Sequence, residues 1–275
     1  MEVIFHIIMN EQLKAKFPKW CFEDKQYSTV LTNDIDSLLG CMIEKEVNGN
    51  KINYFYDFEA MYVQDENDSL EKLGIDLAWT EGKVFDNHVT RMHHNSKFNQ
   101  QSANINSILN VSRDNYFSKY TMSTAIMMWS FYDLPLPSTK LGKMLLLSID
   151  VGFKGHYDSR FKEVHNKYLK LLGYEELIDL LNNTKKQDYY DLIKKYKLYE
   201  HIKLDENGYL QTDLPLDVLS EALELQLELS SQPFTLQTEY TSKGRQVQGD
   251  EKGNLNKNVI SFALTNRNYY KYTVS

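Results

Sequence analysis

YSTVLTNDIDSLLGCMIEKEV, residues 27–47, passes from a run of β-formers to a polar break and then to a segment of helical character. YSTVL (27–31) predicts a strand, and SLLGCMIEKEV (37–47) predicts a helix. Further short β-rich runs follow: INYFYDF (52–58), LGIDLA (73–78) and KVFDNHV (83–89). Strand, helix, strand is a βαβ rhythm. Short apolar strands alternating with helices predict an α/β fold with a parallel sheet, helices on both faces and right-handed connections.

Past residue 118 the pattern turns helical. STAIMMWSFYDL (123–134) and STKLGKMLLLSIDVGF (138–153) each open on a Ser/Thr suited to N-capping. Residues 157–204 place Leu and Tyr at helical spacing among Lys and Glu, which predicts a helical connector. DENGY (205–209) is a turn signal. A helix near 215–230 then gives way to β-like segments, 233–242 and 258–275, flanking a polar loop at 244–258. The expected organisation is therefore an α/β domain over 1–160, a helical connector over 161–205 and a small C-terminal α+β unit over 206–275 that grips substrate.

A chain of 275 residues, 42% hydrophobic, can bury a sizeable core. Cys21 and Cys41 are too few for a disulfide framework and lack CxxC spacing, which fits a reducing compartment and makes the cytoplasm the expected location. No run of about 18 apolar residues occurs, so no membrane span is expected. A net charge of −7 argues against broad coating of nucleic acid but leaves room for a local basic groove. The 19 Tyr and 13 Phe read first as amphipathic core and rim residues, ahead of base-stacking platforms.

The chemistry-bearing residues cluster at the strand ends: Asp34 and Asp36 after YSTVL, Asp76 inside LGIDLA, and Asp86 after KVF. In an open parallel sheet, ligands bind outside the carboxyl ends of the strands, so these side chains should meet in one crevice. Crowded carboxylates repel unless a cation neutralises them, and oxygen with imidazole donors suits manganese, magnesium or a similar divalent ion. Any one of these Asp residues taken singly reads as a turn or cap. Asp57, after INYFY, also ends a strand and reads as structural.

Taken together, VLTNDIDSLLG, GIDLA, VFDNHVT and LLLSIDVGFKGHY resemble, in order, four motifs of the DHH phosphoesterases, the family of RecJ-type exonucleases and oligoribonuclease-like enzymes. SANINSIL followed by KYTMSTAIMMWSFY is similar to the stretch after the third motif. The resemblance spans much of residues 27–157. It implies a parallel-sheet metal-binding domain in which Asp34, Asp36, Asp76, Asp86 and Asp150 ligate manganese or magnesium, as two ions or one, with Asn87 a weaker oxygen ligand. His88 and Asp86 would be catalytic, as phosphate contact or proton donor and as orienting partner, in two-metal hydrolysis.

The chain departs from the pattern at two positions. Val30 stands where the family often has a histidine, and Asn87 stands where it has the first histidine of Asp-His-His. A carboxamide oxygen binds transition metals less well than imidazole, which leaves one site weakened, selective for a harder ion, or lost. His93 and His94 are near enough in sequence to substitute, although a polar loop is their simpler reading. Lys154 and His156, which follow the fourth motif, and Arg113 are the expected substrate contacts. Lys119 lies nearby, and Lys243, Arg245 and Arg267 with Tyr269, Tyr270 and Tyr272 form a more distant basic set.

The function these residues imply is metal-dependent hydrolysis of phosphodiester bonds in single-stranded or short nucleic acid, or in a small nucleotide. A catalytically impaired nucleotide- or partner-binding module and a small-molecule phosphatase such as a pyrophosphatase are the alternatives.

Overall fold

The computed structural model describes residues 9–248 and 258–275. The strands are, in chain order, β1 (Tyr27–Leu31), β2 (Lys51–Tyr56), β3 (Ala60–Val63), β4 (Glu71–Ile75), β5 (Lys83–Phe85), β6 (Ser102–Ala103), β7 (Lys203–Leu204), β8 (Leu210–Gln211), β9 (Thr235–Glu239), β10 (Thr241–Gln246), β11 (Val259–Asn266) and β12 (Tyr269–Val274). The α-helices are α1 (Glu11–Lys14), α2 (Ile35–Asn48), α3 (Ile105–Ile108), α4 (Thr124–Phe131), α5 (Lys140–Ser148), α6 (Lys162–Leu171), α7 (Glu175–Asn182), α8 (Lys186–Lys195) and α9 (Leu216–Leu223).

Seven strands form one sheet in the order β6-β5-β4-β1-β2-β3-β9. The run from β6 to β2 is parallel throughout, while β3 is antiparallel to both of its neighbours. All five residues of β1 are buried, as a central strand covered on both faces requires. From β1 the chain crosses through α2 to β2 on one side, then returns through β3 to β4 on the other. Strand order therefore reverses at β1/β4, and the carboxyl ends of these two strands frame the crevice where such sheets take ligands.

α2 starts where Asp34 accepts the Ser37 N–H at 3.0 Å. It stops at Gly49, whose φ of 70° supplies the left-handed turn that satisfies the last carbonyls. Alternation along the strands divides the buried side chains. Tyr27, Leu31, Leu73, Ile75 and Phe85 face a helical layer that includes Leu38, Leu39 and Ile43 of α2 and Met127 and Met128 of α4. That same core extends without a break through α5–α9, so the expected connector is an integral part of it.

The expectation of helices on both faces needs correction. The opposite face of the sheet carries Val30, Tyr54, Tyr56, Met61, Val63 and Leu77, packed with Phe58, Trp79 and Tyr240, and among the described residues this cluster includes none from a helix. The C-terminal chain also divides rather than forming one unit. β9 completes the main sheet beside β3, whereas β10, β12 and β11 make a separate antiparallel sheet. This small sheet is stitched to the loops leaving β4 and β5. Phe262 N–H donates to Ala78 O, Thr80 N–H to Ile260 O and Leu264 N–H to Val89 O, each at 2.9 Å. Val259, Phe262, Leu264 and Tyr270 bury with Val89, Met92, Val111 and Tyr116. Most of the polar loop expected at 244–258 lies outside the described residues.

Gly40 of α2 marks a close approach between layers: a Cβ there would meet Ile75 Cγ2 of β4 and, at 3.0 Å, Met128 Sδ of α4. Glycine to alanine inside a helix normally stabilises by about 1 kcal/mol. Overpacking a tight core costs about 1–3 kcal/mol and should prevail. Gly40→Ala is therefore expected to lower the denaturation midpoint; a raised midpoint in urea would show that the layers separate freely.

Candidate metal centre

Four parallel strands deliver a carboxylate or carboxamide to the same end of the sheet. Asp34 and Asp36 follow β1, Asp76 directly follows β4, Asp86 directly follows β5, and Asn104 directly follows β6. At Asp76 the backbone turns left-handed, with φ 54°, and its N–H donates to Phe85 O of β5 at 2.9 Å. Asp is one of the few residue types that tolerates this conformation. Asp76, Asp86 and His88 each bring one donor atom to within 4.8 Å of the others.

Asp86 is fully buried and fixed through both oxygens. Oδ1 lies 2.7 Å from His88 Nδ1, and Oδ2 accepts from Asn104 Nδ2 at 2.7 Å. Asn104 Nδ2 also donates to His88 O at 2.8 Å, while Asn104 Oδ1 accepts the N–H groups of Asn106 and Ser107 at the start of α3. Asn106 then donates to Asn87 O at 2.6 Å and accepts the Tyr120 N–H at 2.8 Å. This asparagine network fixes the His88 ring, leaving one imidazole nitrogen for a ligand, as metal-binding histidines are commonly held. Asn104 and Asn106 had no assigned role in the sequence reading. The available signal was an amide directly after a strand and before a helix, the position of an N-cap.

Asp36 is 1% exposed, and both of its oxygens accept from the N-terminus of α4, from Thr124 N–H and Ala125 N–H at 2.8 Å each. Thr124 Oγ1 donates in turn to Asp76 Oδ1 at 2.6 Å, tying α4 to the centre. Asp34 caps α2. Asp150 follows α5 in a left-handed conformation, φ 53°, as does Val151, φ 50°. It is exposed, and its Oδ2 lies 3.4 Å from Asn87 Nδ2, which also donates to Met122 O at 2.9 Å. Asp34, Asp36, Asp76 and Asp150 are thus mutual electrostatic neighbours at the same sheet end as Asp86 and His88.

Their charges oppose one another. Burial, then repulsion from Asp76, Asp150 and Asp34, pushes the Asp36 carboxyl well above the usual carboxylate range. Burial likewise raises Asp76, with Asp34 and Asp150 adding to the effect and His88 opposing it. Asp34 is raised by burial and by Asp150. Burial would lower His88, but Asp86, Asp76 and Asp150 outweigh it and raise the imidazole to about 10. All four groups bind protons more tightly when folded, so their contribution to stability is lost as pH rises. For His88 that loss runs from its ordinary 6.5 to about 10. Melts of the chelator-treated protein are expected to show a lower Tm at pH 9.5 than at pH 6.5, with a divalent ion narrowing the gap. A Tm that rises across this interval would contradict the assignment.

The other candidates are not among these three donors. His156 is buried, with Nδ1 2.8 Å from Asn166 Oδ1 and its ring against Tyr157 and His165, so its contacts belong to the helical layer. Lys154 is exposed in the short 3-10 turn Lys154–Tyr157. Arg113 donates to Arg267 O at 3.0 Å on the C-terminal sheet. His93 and His94 gather on Asp114. Asp57 Oδ1 accepts the N–H groups of Glu59 and Ala60, a turn role. Among the described residues no helix is long and apolar enough to cross a membrane.

No family model, curated protein or solved structure matches the chain.

Proposed function

We infer that the chain is a metal-dependent phosphoesterase of the DHH type, acting on phosphodiester bonds in single-stranded or short nucleic acid or in a small nucleotide. The observation that carries this reading is the convergence of Asp76, Asp86 and His88 within 4.8 Å at the carboxyl ends of β4 and β5, next to the point where strand order reverses. The donor set fits a divalent ion such as manganese or magnesium: two carboxylates and an imidazole, beside further carboxylates whose repulsion a cation would relieve. Asp76, Asp86 and His88 would hold one ion; Asp34 and Asp36, engaged at the starts of α2 and α4, would lend it charge from beside the donor set. When bound, the ion supplies Lewis-acid neutralisation of the attacked phosphoryl group.

The chain's own residues supply orientation. Asn104 and Asp86 fix the His88 ring, whose Nε2 can complete the ion's donor set or hold a proton against a phosphoryl oxygen. Thr124, on the capped start of α4, holds Asp76 in place through its hydroxyl.

The protein is expected to cleave bis-p-nitrophenyl phosphate or a labelled oligonucleotide with manganese and to stop when the ion is chelated. Release of phosphate from pyrophosphate without cleavage of any nucleic acid would instead mark a small-molecule phosphatase. A binding module impaired in catalysis is favoured by one observation: Asn87 places an amide donor against Met122 O and toward Asp150, where the family's imidazole offers a lone pair. Metal binding without turnover on any of these substrates would establish that reading.

A further inference from the structure

Phe117 is 55% exposed although aromatic neighbours surround it: Tyr116 at 6.1 Å and Phe161 at 5.8 Å between ring centroids. The Arg267 guanidinium lies 5.4 Å from its centroid, brought by the turn between β11 and β12. Arg113 Nε donates to Arg267 O at 3.0 Å and its Nη2 to Asn268 Oδ1 at 3.4 Å, so a second guanidinium reaches the turn that carries Arg267. Lys119, two residues on, donates to Tyr116 OH at 3.1 Å and feels the charge of Asp150. Among the described residues, Arg113, Lys119 and Arg267 are engaged in no salt bridge. On a chain of net charge −7, three such cations on residues 113–119 and the turn they touch are a local exception: Arg267 over Phe117, Lys119 against Tyr116 and Arg113 on the turn.

The backbone that carries the ring is anchored. The Tyr168 hydroxyl donates to Ser118 O at 2.7 Å, and the chain then runs directly to Tyr120 and Met122, which accept hydrogen bonds from Asn106 and Asn87 of the metal centre. An exposed aromatic ring with one guanidinium over it and two further cations on the adjoining residues matches what a single-stranded nucleic acid offers, a base for the ring and phosphates for the cations.

We propose that Phe117, with Arg267, Arg113 and Lys119, forms a subsite for single-stranded nucleic acid, stacking one base on Phe117 and placing the adjoining phosphates between the cations, so that the strand leads past Lys119 to Asp150. The subsite rests on the phosphoesterase reading for its purpose, but strand binding can be measured without catalysis.

The test is fluorescence anisotropy of the full-length protein in EDTA with labelled ten-residue oligothymidylate and oligouridylate. Wild-type protein binds, with log K falling against log salt at a slope near −2, as three phosphate contacts predict. Phe117→Ala weakens binding about 5- to 150-fold, the range for one stacked base, and Phe117→Trp restores it. Arg267→Ala flattens the salt slope. Equal binding by Phe117→Ala, with its Tm unchanged, overturns the subsite, as does absence of wild-type binding. Phe117-dependent binding without any hydrolysis in manganese would leave the subsite standing and remove the catalytic reading alone.

Discussion

Asp76→Asn is expected to reduce manganese-dependent hydrolysis at least about 100-fold, since altering even a residue that merely supports a ligand costs 10–100-fold. The substitution preserves shape, and the Thr124 hydroxyl still has an oxygen to donate to, so the fold should persist. It also removes a charge that burial and its neighbours already disfavour. The metal-free variant should therefore melt no lower than the wild type, while the stabilisation by manganese shrinks: at a metal concentration 100 times Kd that stabilisation is about 2.7 kcal/mol. Undiminished turnover would remove Asp76 from the centre; a large loss of Tm without metal would make it a structural residue.

Asp36→Ala should behave in the opposite way. The carboxylate accepts two N–H groups at the buried start of α4, and alanine leaves both without partners. Two unsatisfied buried donors together cost about 2–4 kcal/mol, a Tm fall of roughly 5–15 °C, with the Ser123 cap of α4 left in place. Asp36→Asn keeps one acceptor oxygen and should fall by less. Thermal melts in EDTA read this directly, and an alanine variant as stable as the wild type would show that the start of α4 finds another acceptor. The two aspartates, 40 positions apart in one constellation, would then separate into a residue that binds and one that builds.

That separation also shows where the sequence was legible. YSTVL is β1 residue for residue, and α2 begins at the Asp34 break, because alternation and capping are local properties. That Asp76 and Asp86 meet beside His88 is in line with the sheet rule, which needs only strand ends, whereas Asp34 and Asp36 reach the same sheet end but turn to the starts of α2 and α4. Local pattern could not reveal what depends on distant partners. Asp36 is engaged by residues 88 and 89 positions away, so its bonds to the start of α4 had no signature near VLTNDID. AMYV is too short a run to announce β3, and SA is too short to announce β6, although Asn104 depends on it. PFTLQTEY is legible as β-like, but nothing in its sequence names β3, in the other half of the chain, as its partner. The second face of the sheet went to strands and aromatic side chains instead of helices for the same reason.

The pairing of β9 with β3 bears on how the protein is made. Val63 meets Thr235, 172 positions further along the chain, and the site-bearing loops 78–80 and 89 are tied to residues 260–264. On a ribosome, the residues of the centre emerge early while the sheet stays open along β3 and those loops lack their partners. Such long-range closures are slow, and the waiting edge is prone to aggregation. Nascent chains should thus acquire protease resistance late, after the C-terminal hairpin clears the exit tunnel.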